Sequence, residues 1–181
     1  MKSVKDMSMG ELAAFISSHL KRNGINVVLS GGSCVSIYSK DKYVSLDLDF
    51  IEYGSIGMRK LKQVLAEIGF FYQKTRYFRS SETDIFLEFP PGPLSVGREP
   101  VKEVIILKFP TGDLSIISPT DCVKDRLAAY YHWGDRQSLE QAILVAKDNN
   151  IDLKELERWS MAEGKLSIFQ EIEELFEKLM T

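Results

Sequence analysis

The run INVVLS, residues 25–30, is short, β-branched and almost wholly apolar. Such a run reads as a strand covered on both faces, and no other segment limits the fold as much. A strand with two apolar faces needs partners above and below it, so the chain must place a sheet between other layers. A helix directly before the run can supply one of them. Leu12, Phe15, Ile16 and Leu20 recur at helical spacing after Ser8, with Glu11 positioned to complete a capping box. Asn23-Gly24 then ends that helix.

Gly31-Gly32-Ser33 follows the strand and opens a second helix over residues 33–39. A strand, a glycine turn and a helix leave backbone N–H groups and a positive helix end where an anion can sit. Glycine lets a phosphate approach the backbone, and Ser33 adds a hydroxyl. The turn is neither a Walker loop nor a dinucleotide fingerprint, because Gly-Lys-Ser/Thr and Gly-x-Gly-x-x-Gly are both absent. VSLDLDFIE, residues 44–52, then alternates, with Leu46, Leu48 and Phe50 on one side and Asp47 and Asp49 on the other. Two carboxylates so placed repel unless a cation lies between them, and Mg²⁺ takes one or two carboxylates plus phosphate and water. A third acid comes from TDIFLEF, where Asp84, Phe86 and Glu88 share a face. Glu88 is favoured over Asp84 because Leu87 and Phe89 flank it. Each motif alone has a plainer reading, a tight turn or a solvated acid pair. On consecutive elements they point to one phosphate and metal site.

Elsewhere Leu61, Val64, Leu65 and Ile68 mark a helix ended by Gly69, and residues 70–79 read as extended. The PPGP run at 90–93 breaks the chain after the strand at 84–89. Residues 102–109 and 113–117 read as two strands joined by a turn. From Ser118-Pro119 onward the periodicity is helical throughout. Leu127, Tyr130 and Tyr131 mark the first of these helices. Asp135 caps the next, with Leu139, Ile143 and Ala146. Leu153, Leu156 and Trp159 mark a third, and Ile168, Ile172, Leu175, Phe176 and Leu179 the last. The fold class is therefore α+β, with a mixed sheet flanked by helices over residues 1–117 and a helical part over 118–181.

A net charge of −3 gives no broad electrostatic footprint for a long polynucleotide. Cys34 and Cys122 share no metal-ligand spacing, and Cys34 reads as a buried thiol. With no signal core and no run of transmembrane length, a soluble cytoplasmic protein without a membrane partner is expected. His19, His132 with its aromatic neighbours Tyr130, Tyr131 and Trp133, and the pair Arg76 and Arg79 all have structural readings that suffice.

Gly31-Gly32-Ser33, Asp47-Leu48-Asp49-Phe50 and Leu87-Glu88-Phe89 together resemble the pattern of the DNA polymerase β-like nucleotidyltransferase superfamily. The nearer likeness is to small prokaryotic nucleotidyltransferase-like proteins, including the toxins of type IV toxin–antitoxin systems. It extends over residues 29–146, where SPTDCVKDRLAAYYHWGDRQSLEQA is similar to their helical segment. The resemblance implies a Mg²⁺-dependent transfer of a nucleotidyl group from a nucleoside triphosphate to an acceptor hydroxyl. The acceptor could be a small molecule, a protein or an RNA end, and the toxin likeness adds an antitoxin partner. It implies that Gly31, Gly32 and Ser33 hold the triphosphate. Asp47 and Asp49 would bind two Mg²⁺ with Glu88 as the third acid, which activates the acceptor. Arg126 stands where the toxins carry a triphosphate-contacting lysine, Lys124 is the alternative, and Asp135 matches the acid of their later motif. Binding of nucleotide or of a partner without catalysis is the competing function.

Overall fold

The computed structural model describes residues 2–54, 56–73 and 77–180, without the side chains of 177, 179 and 180. Arg76 and the Leu179 side chain therefore lie outside the described residues. After a 3₁₀ turn at Val4–Asp6, α1 (Met9–Arg22) starts at a complete capping box between Ser8 and Glu11. Gly24 at φ +75° leaves the helix and lets the chain enter β1 (Val27–Ser30). Val27, Val28 and Leu29 are buried, as a two-faced strand requires. α2 (Gly32–Tyr38) packs against β1 and β2 (Asp47–Glu52).

Leu48 and Phe50 of β2 point into the core, but Leu46 does not, because the strand begins only at Asp47 and Leu46 is 63% exposed. Before it, the Ser45 N–H donates to Ser36 Oγ on α2, while the Leu46 carbonyl accepts from the Phe86 N–H. α3 (Met58–Ala66) follows. The expected extended stretch at 70–79 is instead a hairpin of β3 (Phe71–Tyr72) and β4 (Phe78–Ser80), with 74–76 outside the described residues. β5 (Thr83–Glu88) pairs with β4 on one side and in parallel with β2 on the other.

Sequence reading gave no hint of the small second sheet, β6 (Ser95–Val96) with β7 (Glu99–Pro100). β8 (Val104–Phe109) and β9 (Gly112–Ile117) form a hairpin, and β9 runs parallel to β1. Among the described residues the main sheet thus has seven strands in the order β3-β4-β5-β2-β1-β9-β8. α1 covers β9, β1 and β8.

Ser118 caps α4 (Pro119–Trp133) through the Asp121 N–H, and Gly134 ends it in the left-handed region. Asp135 caps α5 (Arg136–Asp148) through the Gln137 N–H. α6 (Leu153–Ala162) and α7 (Leu166–Met180) complete the helical layer. It joins the main sheet through α2, which meets α4 and α5, and the small sheet through α4, which meets β6. Among the described residues no helix is long and apolar enough to cross a membrane.

Candidate active site

The site begins at the crossing of β1, β2 and β5. β1 and β2 are antiparallel with Ser30 opposite Asp49, and β2 and β5 are parallel with Asp49 opposite Glu88. Residues opposite one another in neighbouring strands share a face about 5 Å apart. Asp49 and Glu88 are therefore side by side, and Asp47, two residues earlier, stands on the same face next to Phe86. Asp84 lies two residues further from Glu88 than Phe86 does, and it is exposed. The register thus brings Glu88, and not Asp84, level with Asp49.

Three devices fix these carboxylates. Ser45 Oγ donates to Asp47 Oδ1. Leu87 is fully buried behind Glu88, and Phe89 stacks on Phe50 with centroids 5.9 Å apart. Gly31 holds φ +71° and ψ −157°, a region that essentially only glycine occupies, and a Cβ there would overlap the Asp49 carboxylate. Gly31→Ala should therefore cost about 1–3 kcal/mol and lower the melting temperature by several degrees. At Gly32 a Cβ would meet the Ser45 hydroxyl at 3.2 Å and the Tyr43 side chain at ordinary contact distances of 3.6 and 3.7 Å. Gly32→Ala should be the milder change, and equal thermal shifts for the two variants would refute this account of the turn.

The turn differs from the expected phosphate cradle in one respect. Ser33 is buried and its hydroxyl donates to the Ser30 carbonyl at 3.2 Å. What remains for an anion is the first N–H groups of α2, which any helix leaves without an intrahelical acceptor.

Asp49 is the electrostatic centre. Burial, then the charges of Asp47, Glu88 and Asp125, push its pKa up to about 7, against a smaller opposing pull from Arg126. Asp125 was passed over in the sequence, where its neighbours Lys124 and Arg126 drew attention. It holds Arg126 in a two-nitrogen ion pair and lines a cavity of about 350 Å³ with Gly31, Asp49, Pro90 and Leu94. A carboxylate that neutralises a helix arginine carries no periodic signal that would single it out.

Arg126 also donates to Gln141 Oε1 at 3.3 Å, and its charge lowers the pKa of Asp135 as well as that of Asp49. It is the cation between the strand acids and the start of α5. The Asp135 carboxylate accepts from the Ser138 hydroxyl at 2.7 Å, which is the chief cause of its lowered pKa. Lys124 is not brought to the carboxylates. It is buried in ion pairs with Asp121 at 3.0 Å and Glu155 at 2.8 Å, beside a different cavity. Cys34 is a buried free thiol, as expected, next to Cys122, with its pKa raised by burial first and by Cys122 next. The aromatic group around His132 divides: Tyr131 stacks on Trp159 at 5.8 Å inside the core, while Trp133 is 80% exposed.

Among the described residues no three His, Cys, Asp or Glu side chains close tightly enough to hold a metal ion unaided. Mg²⁺ asks for less, since phosphate oxygens and water complete its shell around one or two carboxylates. A half-buried Asp49 whose charge is opposed by three neighbouring acids is a donor set that a divalent cation would relieve.

No protein-family model matches the sequence, and no curated protein matches it. Solved structures do. An antigenic nucleotidyltransferase-like protein from Paracoccidioides brasiliensis aligns over 76% of this chain and 75% of its own, with TM-score 0.58 and 14% identity. The antibiotic-resistance factor ANT(2'')-Ia, whose solution structure shows substrate-regulated conformation dynamics, aligns over 94% and 95%, with TM-score 0.52 and 10% identity. The mixed sheet, with its glycine turn and its row of strand carboxylates, has the nucleotidyltransferase-like fold.

Proposed function

We propose that the protein transfers a nucleotidyl group from a nucleoside triphosphate to an acceptor hydroxyl. The observation that carries this reading is the placement of Asp49. It is half-buried against Gly31, level with Glu88 and two residues from Asp47, with its pKa pushed up to about 7. A fold that keeps an ionisable group in such surroundings gains most when a cation joins it. In this reading Asp47 and Asp49 hold Mg²⁺, which when bound supplies charge neutralisation on the phosphates and acidifies the acceptor hydroxyl.

The chain's own groups then have distinct tasks. Glu88 takes the proton of the acceptor hydroxyl as its oxygen bonds the α-phosphorus and the bond to pyrophosphate breaks. Gly31 and Gly32 admit the triphosphate to the first N–H groups of α2, which are oriented before it arrives. Arg126 faces the outer phosphates from the helical side and is held there by Asp125 and Gln141. Residues 118–181 serve as the wall that closes the cleft over residues 1–117.

Two contacts favour a second reading, nucleotide binding without transfer. The Ser33 hydroxyl and the Lys124 ammonium, both expected to face phosphate, are already engaged within the protein.

Calorimetric titration of each nucleoside triphosphate, with and without Mg²⁺, into wild type and Asp47→Asn tests the site. The expected result is binding that requires Mg²⁺ and is weakened at least ~10-fold by the substitution. A folded protein that binds no triphosphate at any Mg²⁺ concentration would sink both readings. Binding indifferent to Mg²⁺ and to Asp47 would leave only the second.

A further inference from the structure

Pairing of β5 with β2 stops at Glu88 and Asp49, so residues 50–52 lose their neighbour on that side. The chain detours through Phe89 and the prolines, and a cavity of about 880 Å³ opens between this loop, the end of β2, the start of α3 and Tyr72. It lies across the loop at 90–94 from the cavity that contains Asp49, and the two share Pro90, Pro91, Pro93 and Leu94 as a wall. Its volume is that of a small-molecule site.

The lining side chains are mostly apolar or aromatic, with Tyr53 and Tyr72 adding their hydroxyls. Among the described lining residues Glu52 alone carries a charge. Its Oε1 is out of solvent and has no hydrogen-bond partner. Carboxylate oxygens are rarely left so, because the lost hydration is not repaid, and native examples usually point to a group that completes them. Gly54 at φ +139° lies against this oxygen, where a Cβ would come within 3.0 Å of it. The terminal torsion of a glutamate is broad, so either oxygen can turn into the cavity. At the mouth Tyr53, Met58 and Tyr72 are exposed, an apolar rim of the kind that marks a binding surface. The Tyr72 ring already accepts the Lys62 ammonium, 3.5 Å from its centroid.

We propose that this cavity binds a small organic monocation, an ammonium carried on an apolar or aromatic body. The ammonium donates to Glu52, and the body packs on Phe89 and the proline wall. One carboxylate without a second acid is too few ligands for an inorganic divalent ion. A single carboxylate matches a single positive charge, and mostly apolar side chains match an apolar body. The site stands apart from the nucleotidyl reading and requires neither Mg²⁺ nor a triphosphate.

The test is an NMR titration of the full chain with 2-phenylethylammonium and, separately, with 2-phenylethanol, which matches it in size and lacks the charge. The amine is expected to shift amides around the cavity and to bind at least ~10-fold more tightly than the alcohol. Glu52→Gln should remove that preference, and Asp47→Asn, which disables the triphosphate site, should leave it intact. Equal affinity for the two probes in wild type, no saturation by either, or shifts confined to another part of the surface would each overturn the proposal. So would a folded Glu52→Gln variant that keeps the preference. If that variant does not fold, the wild-type comparison decides alone.

Discussion

Replacing Asp49 by asparagine is expected to make the protein more stable at pH 8 and, in the same variant, to abolish the Mg²⁺-dependent hold on a triphosphate. The reason is the raised pKa. In the unfolded chain this carboxyl loses its proton near 3.8, whereas burial, Asp47 and Glu88 keep it protonated up to about pH 7 in the fold. Between those values the native state binds the extra proton, so stability falls as pH rises from about 4 to about 7 and levels off above. At pH 8 the ionised Asp49 destabilises the metal-free protein by roughly 2–4 kcal/mol. Asparagine has no proton to lose. Its melting temperature should match wild type near pH 4 and exceed it by about 5–10 °C at pH 8 in the presence of a chelator. With Mg²⁺ and a triphosphate at about 1,000 times its Kd the order reverses, because the ligand stabilises wild type by about 4.1 kcal/mol and leaves the variant unmoved. Melting curves at the two pH values, with and without ligand, check both halves. A variant less stable than wild type at pH 8 would mean that Asp49 is a structural group.

Trp159→Ala is expected to have the largest effect on stability, a loss of about 3–5 kcal/mol in urea unfolding. The Trp159 ring is fully buried on α6, stacks on Tyr131 of α4 and donates its Nε1–H to the Val96 carbonyl at 3.3 Å. One side chain thus joins two helices to the β6–β7 hairpin, whose Val96 lines the cavity beside Asp49. Domain stabilities are typically 5–15 kcal/mol, so the loss is a large share of the total. Trp159→Phe separates the parts. It keeps most of the packing and leaves one carbonyl unpaired, for about 1–2 kcal/mol. The hairpin also has other ties, since Glu163 accepts from the Arg98 N–H at 2.7 Å and Arg158 grips Glu99 with two nitrogens at 2.9 and 2.6 Å. A cost below about 1 kcal/mol for the alanine variant would show that these ties, and not the indole, hold the hairpin.

Much of this was legible because the physics is local. Ser8 with Glu11, Ser118 before Pro119, and Asp135 each cap a helix through groups within three residues, so they read directly from the sequence. The same holds for β1, whose composition reports two covered faces, and for Asp47 and Asp49, which a period of two places on one side. The glycine turn was legible too, although its main reason was not. Gly31 is required by the approach of Asp49, a residue eighteen positions later in the chain.

What only the tertiary structure decided depends on partners far apart in sequence. The choice between Asp84 and Glu88 rested on the register of β2 with β5, and register comes from pairing rather than from either strand alone. Leu46 alternates correctly yet its side chain is exposed, because β2 begins only after it and Ser36 holds the Ser45 N–H. Lys124 and Arg126 are two residues apart on one helix with the same charge. Asp121 and Glu155 bury the first, while Asp125 and Gln141 hold the second near the carboxylates. The sequence by itself determined the helices, the two-faced strand β1 and the strand face that carries Asp47 and Asp49. The fold decided which charges meet, because a side chain's electrostatic surroundings are set by neighbours that backbone periodicity does not encode.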